Sequence, residues 1–197
     1  QQAYTIMITD GYYNGSDPGV GNTDADGAGD FDGGEYADGY SNTLADVAMA
    51  YYEVDLNDSL SASVPNNQKD LAAHQHMVTY SVSFGLKGMY NPNNFPDCPE
   101  TDCPVWPNVT RSSEDERSIT DLWHASVNGR GEYMQANNAQ QLAYALVALM
   151  QDVQKRGGSG ASVAVNSHEL KQGSKMYQGT YNSAGWTGDL KSYPINS

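Results

Sequence analysis

Tyr4-Thr-Ile-Met-Ile-Thr-Asp10-Gly11 is a short apolar run that stops abruptly at an acid and a glycine. That length and composition predict a buried strand with Asp10 at its carboxyl end. The next periodic segment is helical. Thr43-Leu-Ala-Asp46 reads as a capping box, followed by a stripe of Leu44, Val47, Ala48, Tyr51 and Val54. Met77 to Leu86 then alternates. Val78, Tyr80, Val82, Phe84 and Leu86 share one face, and Thr79, Ser81, Ser83 and Gly85 the other. This is a strand with a small-residue face against which a helix can lie. Ser118-Ile-Thr-Asp121 reads as the cap of a short helix with Ile119, Leu122, Trp123 and Val127 inward, and Arg130 to Ala136 as a brief strand. The most regular helix is 139–156, with Leu142, Ala145, Leu146, Leu149, Met150 and Val153 inward. Asn138 sits at its start, Lys155 and Arg156 at its negative end, and Gly157-Gly158 beyond it. Strand and helix alternating three times is the pattern of an α/β fold with a mostly parallel sheet. Ligands of such sheets bind at the carboxyl ends of the strands, where Asp10 falls.

Long insertions interrupt this pattern. Residues 11–40 are rich in Gly, Asp and Tyr, 57–73 form a polar connection, and 87–117 hold both cysteines and five of the eight prolines. Beyond the last helix, 161–165, 175–181 and 186–193 read as short β-strands with Gly and Asn turns. The expected division is an α/β domain over 1–156 and a β segment over 157–197, with a boundary near Gly157 to Gly160.

A chain of 197 residues with 39% hydrophobic content can build one ordinary core. A net charge of −14 and a pI near 4.3 argue against nucleic acid and against an anionic membrane surface. No apolar run is long enough to span a bilayer. Gln1 reads as a mature or cut end rather than a translation start. Fourteen tyrosines among many Asn, Ser and Gly suit a secreted or surface protein.

The insertion at 11–40 carries the densest chemistry. Asn22-Thr-Asp-Ala-Asp-Gly-Ala-Gly-Asp-Phe-Asp-Gly-Gly-Glu35 holds five acids interleaved with glycine. Crowded carboxylates repel unless a cation sits between them, and glycine lets the backbone turn tightly enough to aim several oxygens at one point. Ca²⁺, with six to eight oxygen ligands, is the expected ion. Two registers fit. With Asn22 first, Asn22, Asp24 and Asp26 take positions 1, 3 and 5, Gly27 the turn and Asp30 position 9, but position 12 is Gly33. With Asp24 first, Asp24, Asp26, Asp30, Asp32 and Glu35 take ligand positions, but position 5 is Ala28. The first register is favoured, with Asp32 or Glu35 making up the missing oxygens. The candidate set is therefore Asn22, Asp24, Asp26, Ala28, Asp30, Asp32 and Glu35. The alternative is a solvated acidic turn with no ion.

Cys98 and Cys103, in Cys-Pro-Glu-Thr-Asp-Cys, suit a small local disulfide and an oxidising compartment, two free thiols being the alternative. They are too few for a structural zinc site. His74 and His76 read as exposed residues leading into the strand, and His124 as packed on Trp123 or facing solvent. No Gly-x-Ser-x-Gly occurs, and nothing assembles a nucleophile, base and oxyanion hole.

Ile8-Thr-Asp10-Gly11 at a strand end resembles the fourth-strand motif of von Willebrand factor A domains. More specifically, Ile8 to Asn14, the Asp/Gly loop, Tyr36-Ala-Asp38 leading to Ser41 to Ala48, Asp121-Leu-Trp-His-Ala125 and Asn128-Gly-Arg-Gly-Glu-Tyr133 resemble the PilC/PilY family of bacterial type IV pilus assembly and tip-adhesin proteins. Tyr177 to Tyr181 with Trp186 to Leu190 resembles the entry into that family's β-propeller, so the resemblance covers nearly the whole chain. It implies a partial von Willebrand factor A-like, Rossmann-type sheet with long loop insertions, followed by a short β segment. It also implies that Asp10 belongs to an adhesion-type metal site. The Asp-x-Ser-x-Ser loop of that site is not in this sequence, so Asp10 is expected to hold Mg²⁺ only if another segment or a separate chain supplies the front half of the sheet.

The resemblance implies a non-enzymatic surface protein for pilus assembly and adhesion at the pilus tip, passing through the periplasm. Its implied partners are minor pilins or the tip complex, and a host or surface ligand. Two alternatives are a metal-dependent extracellular hydrolase using Asp10 and the loop acids, and a plain calcium-stabilised structural module.

Overall fold

A computed structural model describes residues 2–13, 15–16, 18–29, 31–109, 115–156, 163–165, 175–182 and 187–194. Three parallel strands, β1 (Ala3–Thr9), β2 (Met77–Phe84) and β3 (Arg130–Ala136), form one sheet in the order β1-β2-β3. Helix α1 (Leu44–Glu53) connects β1 to β2, and α2 (Glu116–Asn128) connects β2 to β3. Helix α3 (Ala139–Arg156) follows β3. The α/β expectation holds as a partial Rossmann-type sheet. Strand β2 is its centre, paired from Ala3↔Met77 to Thr9↔Ser83 on one side and from Thr79↔Arg130 to Phe84↔Ala136 on the other.

The small-residue face of β2 receives α2. Ser81 Oγ donates to Leu122 O at 2.9 Å and also meets Ser126 Oγ. Helix and strand close on two glycines, Gly129 in the α2–β3 turn and Gly131 in β3. A Cβ on Gly129 would collide with the Thr79 side chain, and one on Gly131 with the Thr79 carbonyl.

Two helical readings are corrected. On α1 the buried residues are Ala45, Asp46, Ala48, Met49 and Tyr52, whereas Tyr51 and Val54 are exposed. The stripe is rotated because Met49 and Tyr52 pack with Ala72, Phe31 and Tyr36 beneath the acidic insertion. Helix α2 is capped three residues earlier than expected. Asp115 accepts the Arg117 N–H as N-cap, and every residue from Ser118 to Asn128 is buried. Ser118 and Asp121 are therefore interior positions of a helix covered on all sides. The capping box of Thr43 and Asp46 is formed, and Asn138 accepts the Gln141 N–H at the start of α3. Along α3, Ala145 and Leu149 are buried but Met150 is exposed.

The second insertion is closed by the Cys98–Cys103 disulfide, which packs on Trp106, Trp123 and Val127. The chain divides into two compact units, Gln1–Met150 and Gln151–Ser197. In the second, β4 (Val163–Val165), β5 (Lys175–Asn182) and β6 (Thr187–Pro194) form an antiparallel sheet. The boundary expected at Gly157 to Gly160 lies outside the described residues. Among the described residues no helix is long and apolar enough to cross a membrane.

Candidate metal centre

The acidic insertion does not fold around one point. It splits into an inner and an outer group of acids. Gly27 and Gly33, both at positive φ, turn the chain so that the Gly33 N–H reaches Asp24 O at 2.8 Å. This folds Asp24 inward until it is fully buried, and leaves Asp26 at the surface.

The inner group is Asp24, Asp38 and His124, with one ligand atom from each lying within 4.8 Å of the others. Asp24 Oδ1 accepts the Asp38 N–H at 3.2 Å, and Asp24 Oδ2 accepts the Asn128 amide at 2.9 Å. His124 Nε2 lies 2.6 Å from Tyr36 O and 3.6 Å from Asp24 Oδ2, while Nδ1 lies 3.6 Å from Asp38 Oδ2. The imidazole is stacked on Trp106 at 4.0 Å. Asn22 donates to Asp38 O, and its own Oδ1 is buried without a hydrogen-bond partner.

Burial dominates the electrostatics. It pushes Asp24 up to about 7, with Asp38 and Asp46 adding repulsion. Burial pushes Asp38 up to about 6, helped by Asp46 and Asp121. Burial drives His124 down to about 3, so its ring is neutral. Neutral imidazole beside carboxylates is the donor set that metals take.

Asp46 and Asp121 belong to the same acidic region, where their oxygens serve the start of α1 and its approach. Asp46 accepts the N–H groups of Thr43 and Thr23. Asp121 accepts those of Leu44 and Ala45 and the hydroxyl of Tyr13. Both sit where the positive end of α1 favours negative charge.

The outer group is Asp26 and Asp32, joined by Glu53 from the end of α1. Asp32 accepts the Gly27 N–H, and Asp26 the Ala28 N–H, each at 2.7 Å. Glu53 is pushed up to about 7 by burial, then by Asp32 and Asp26, and its Oε1 is buried without a hydrogen-bond partner. Glu53 lies so close to the loop that a Cβ on Gly29 would strike its carboxyl. All these groups offer oxygen, but among the described residues only the inner group brings three ligand atoms within 4.8 Å of one another.

The other predicted residues go elsewhere. Glu35 Oε2 accepts the Cys103 N–H and Glu35 O accepts the Trp106 indole N–H, which joins the loop to the disulfide insertion. Ala28 is exposed. Asp30 lies outside the described residues. Asp10 is exposed at the end of β1 and is not among the residues brought together.

All three described histidines depart from their reading. His76 is buried against Asp70, 2.9 Å from Nε2, and His74 Nε2 meets Tyr52 O. Tyr52 lies beneath the Arg130 guanidinium, which donates to Phe31 O and so ties the insertion to the start of β3. The signal for His124 was present in the sequence. Asp121, His124 and Asn128 stand at i, i+3 and i+7, a polar stripe on one face of a helix otherwise rich in apolar residues.

Comparison with curated proteins finds type IV pilus relatives. Over 99% of its length the chain is 28% identical to the type IV pilus biogenesis factor PilY1 of Pseudomonas aeruginosa, strains PAO1 and PAK, and 27% identical to that of strain UCBPP-PA14. It spans about a fifth (20%) of the length of these relatives. No protein-family model matches the chain, and no solved structure matches it. Over nearly its whole length the chain is similar to one segment of PilY1.

Proposed function

We propose that this chain is a non-enzymatic module of a type IV pilus-associated surface protein, acting in pilus assembly and in adhesion at the pilus tip. The supporting observation is its end-to-end similarity to pilus biogenesis factors. The disulfide agrees with passage through the periplasm to the cell surface. The von Willebrand factor A-like reading rests on the parallel sheet with Ile8-Thr-Asp-Gly11 at the end of β1. In it, Asp10 contributes to an adhesion-type Mg²⁺ site only if another segment or a separate chain supplies the remaining ligands.

Within the module, calcium stabilises the acidic insertion through the outer acids. Asp26, Asp32 and Glu53 would hold it, and the buried, unpartnered Glu53 Oε1 supports the fit. Bound calcium neutralises their repulsion and fixes the loop surface offered to minor pilins, the tip complex or a surface ligand.

Pili sheared from the source bacterium and probed with antiserum against this chain test the reading. Immunogold label at pilus tips, together with loss of surface pili when the gene is disrupted, is expected. Label confined to the cell body, with pili and surface attachment unchanged in the disrupted strain, overturns it.

A further inference from the structure

The inner group has a donor set that calcium does not explain. Tyr36 O can only accept, so the proton of the His124 ring sits on Nε2 and donates to it at 2.6 Å. Nδ1 then presents its lone pair to Asp38 Oδ2 across 3.6 Å, too long for a hydrogen bond. Two electron-rich atoms face each other in a buried place, with the side chains of His124 and Asp38 1% and 4% exposed. Something positive belongs between them.

We propose that Asp24, Asp38 and His124 form a second metal centre, separate from the outer acids, that takes a divalent transition ion of the zinc class at His124 Nδ1. Metal–ligand bonds of about 2.0–2.2 Å in a tetrahedral site place neighbouring ligands about 3.4 Å apart. The Nδ1 to Asp38 separation already approaches that, and Asp24, whose Oδ2 now lies 3.6 Å from Nε2, has at most about 1.4 Å to close from the 4.8 Å limit of the group.

The surroundings have the form of a metal site's supporting shell. A ligating imidazole characteristically donates its other N–H to a carbonyl or carboxylate, which fixes its tautomer and orientation. Here Tyr36 O takes that proton and Trp106 holds the ring plane. Asn128 holds Asp24, and Asn22 holds the backbone of Asp38 while keeping an unpartnered buried Oδ1. Neither Asp24 nor Asp38 is paired with lysine or arginine among the described residues. One imidazole nitrogen with carboxylates favours zinc and its neighbours over Ca²⁺ or Mg²⁺, which prefer oxygen throughout.

The centre joins the acidic insertion to α2, and it stands on this cluster whether or not calcium occupies the outer acids. The test uses tag-free protein stripped with chelator, titrated separately with Zn²⁺, Co²⁺ and Ca²⁺. One Zn²⁺ per chain is expected, and Co²⁺ should give the visible d–d absorption of a low-coordinate site. His124→Gln should weaken Zn²⁺ at least about tenfold and abolish the Co²⁺ spectrum. Asp26→Asn with Glu53→Gln should leave both intact while removing the response to Ca²⁺. Asp38→Asn, which keeps the side-chain shape, repeats the test should His124→Gln fail to fold. Absence of Zn²⁺ binding by the stripped wild type overturns the proposal, as does unchanged Zn²⁺ affinity in a folded His124 or Asp38 variant. Loss of Ca²⁺ and Zn²⁺ together in the Asp38 variant also overturns it, in favour of a single oxygen-type site.

Discussion

The Asp121 carboxylate accepts the backbone N–H groups of Leu44 at 2.9 Å and Ala45 at 3.1 Å, so a side chain in the middle of α2 caps the N-terminus of α1. The first N–H groups of a helix have no partner within it. Thr43 and Asp46 satisfy part of that need locally, and Asp121 supplies the rest from 77 residues away in sequence. Asp121→Ala should cost about 2–3 kcal/mol, because it leaves buried donors unpaired as well as removing a charge-assisted bond. Urea unfolding measures this, and a loss below about 0.5 kcal/mol would mean that water replaces the carboxylate at no cost.

Gly129→Ala tests how closely α2 and β3 approach β2. The added methyl group meets the Thr79 side chain and backbone nitrogen with no flexible chain end to displace. A loss of about 1–3 kcal/mol is expected. Pairing Gly129→Ala with Thr79→Ser should recover part of it if the collision with the side chain is the cause.

The strands and helices were legible where a period marks them, and β1 as a short apolar run, although it is half-buried with Ile8 exposed rather than buried. The alternation through β2 and its small-residue face for α2 were readable, as was the Thr43 capping box. The rotation of α1 was not, because Met49 and Tyr52 are buried by Phe31 and Tyr36, residues of an insertion with no period of its own. For the same reason the acids of 22–35 read as one loop. Their separation into inner and outer groups depends on where Asp38, Glu53 and His124 arrive in space, and these lie outside the motif. His76 reads as exposed beside polar neighbours, yet Asp70 and Tyr52 enclose it.

Metal-free protein should become more stable as the pH falls from 8 to 6. Asp24 and Glu53, at about 7, and Asp38 and Asp121, at about 6, bind protons more readily folded than unfolded. Their contribution is complete below the ordinary carboxyl range near pH 4 and is lost as the pH rises through 6–7. His124, held near 3, works the other way. Its contribution is present above about 6.5 and is lost as the pH falls further, so it offsets the acids only at the low end of the window. Asp24 alone should supply about 1 kcal/mol between pH 8 and 6. Melting in chelator at the two pH values measures the slope. Melting with metal present should reduce or reverse it, since metal binds the deprotonated ligands. A higher Tm at pH 8 in chelator would contradict these ionisations.

Calcium should raise the Tm of the wild type and have little effect on Glu53→Gln. At a hundredfold excess over Kd the stabilisation is about 2.7 kcal/mol. An equal calcium shift in wild type and variant would remove Glu53 from the ligand set.

Opening the Cys98–Cys103 bond should cost about 2 kcal/mol, the lower part of the usual range for so short a closed loop. The disturbance should reach Trp106 and Trp123, which pack against it. Tryptophan fluorescence of the Cys98→Ser, Cys103→Ser double variant reads both effects, and an unshifted emission maximum would separate the bond from the aromatic cluster.

The insertion's anchors also set an order of events. Phe31 is held by Arg130, Asp24 by Asn128 and Tyr36 by His124, across 99, 104 and 88 residues. All three anchors lie on α2 or the first residue of β3, made long after the loop has left the ribosome. Contacts of such span form late, because chain closure must come first. The acidic insertion thus carries its charge through synthesis without these three long-range anchors. Its local ties to α1 can form early, but the anchors close only when α2 lies down on β2.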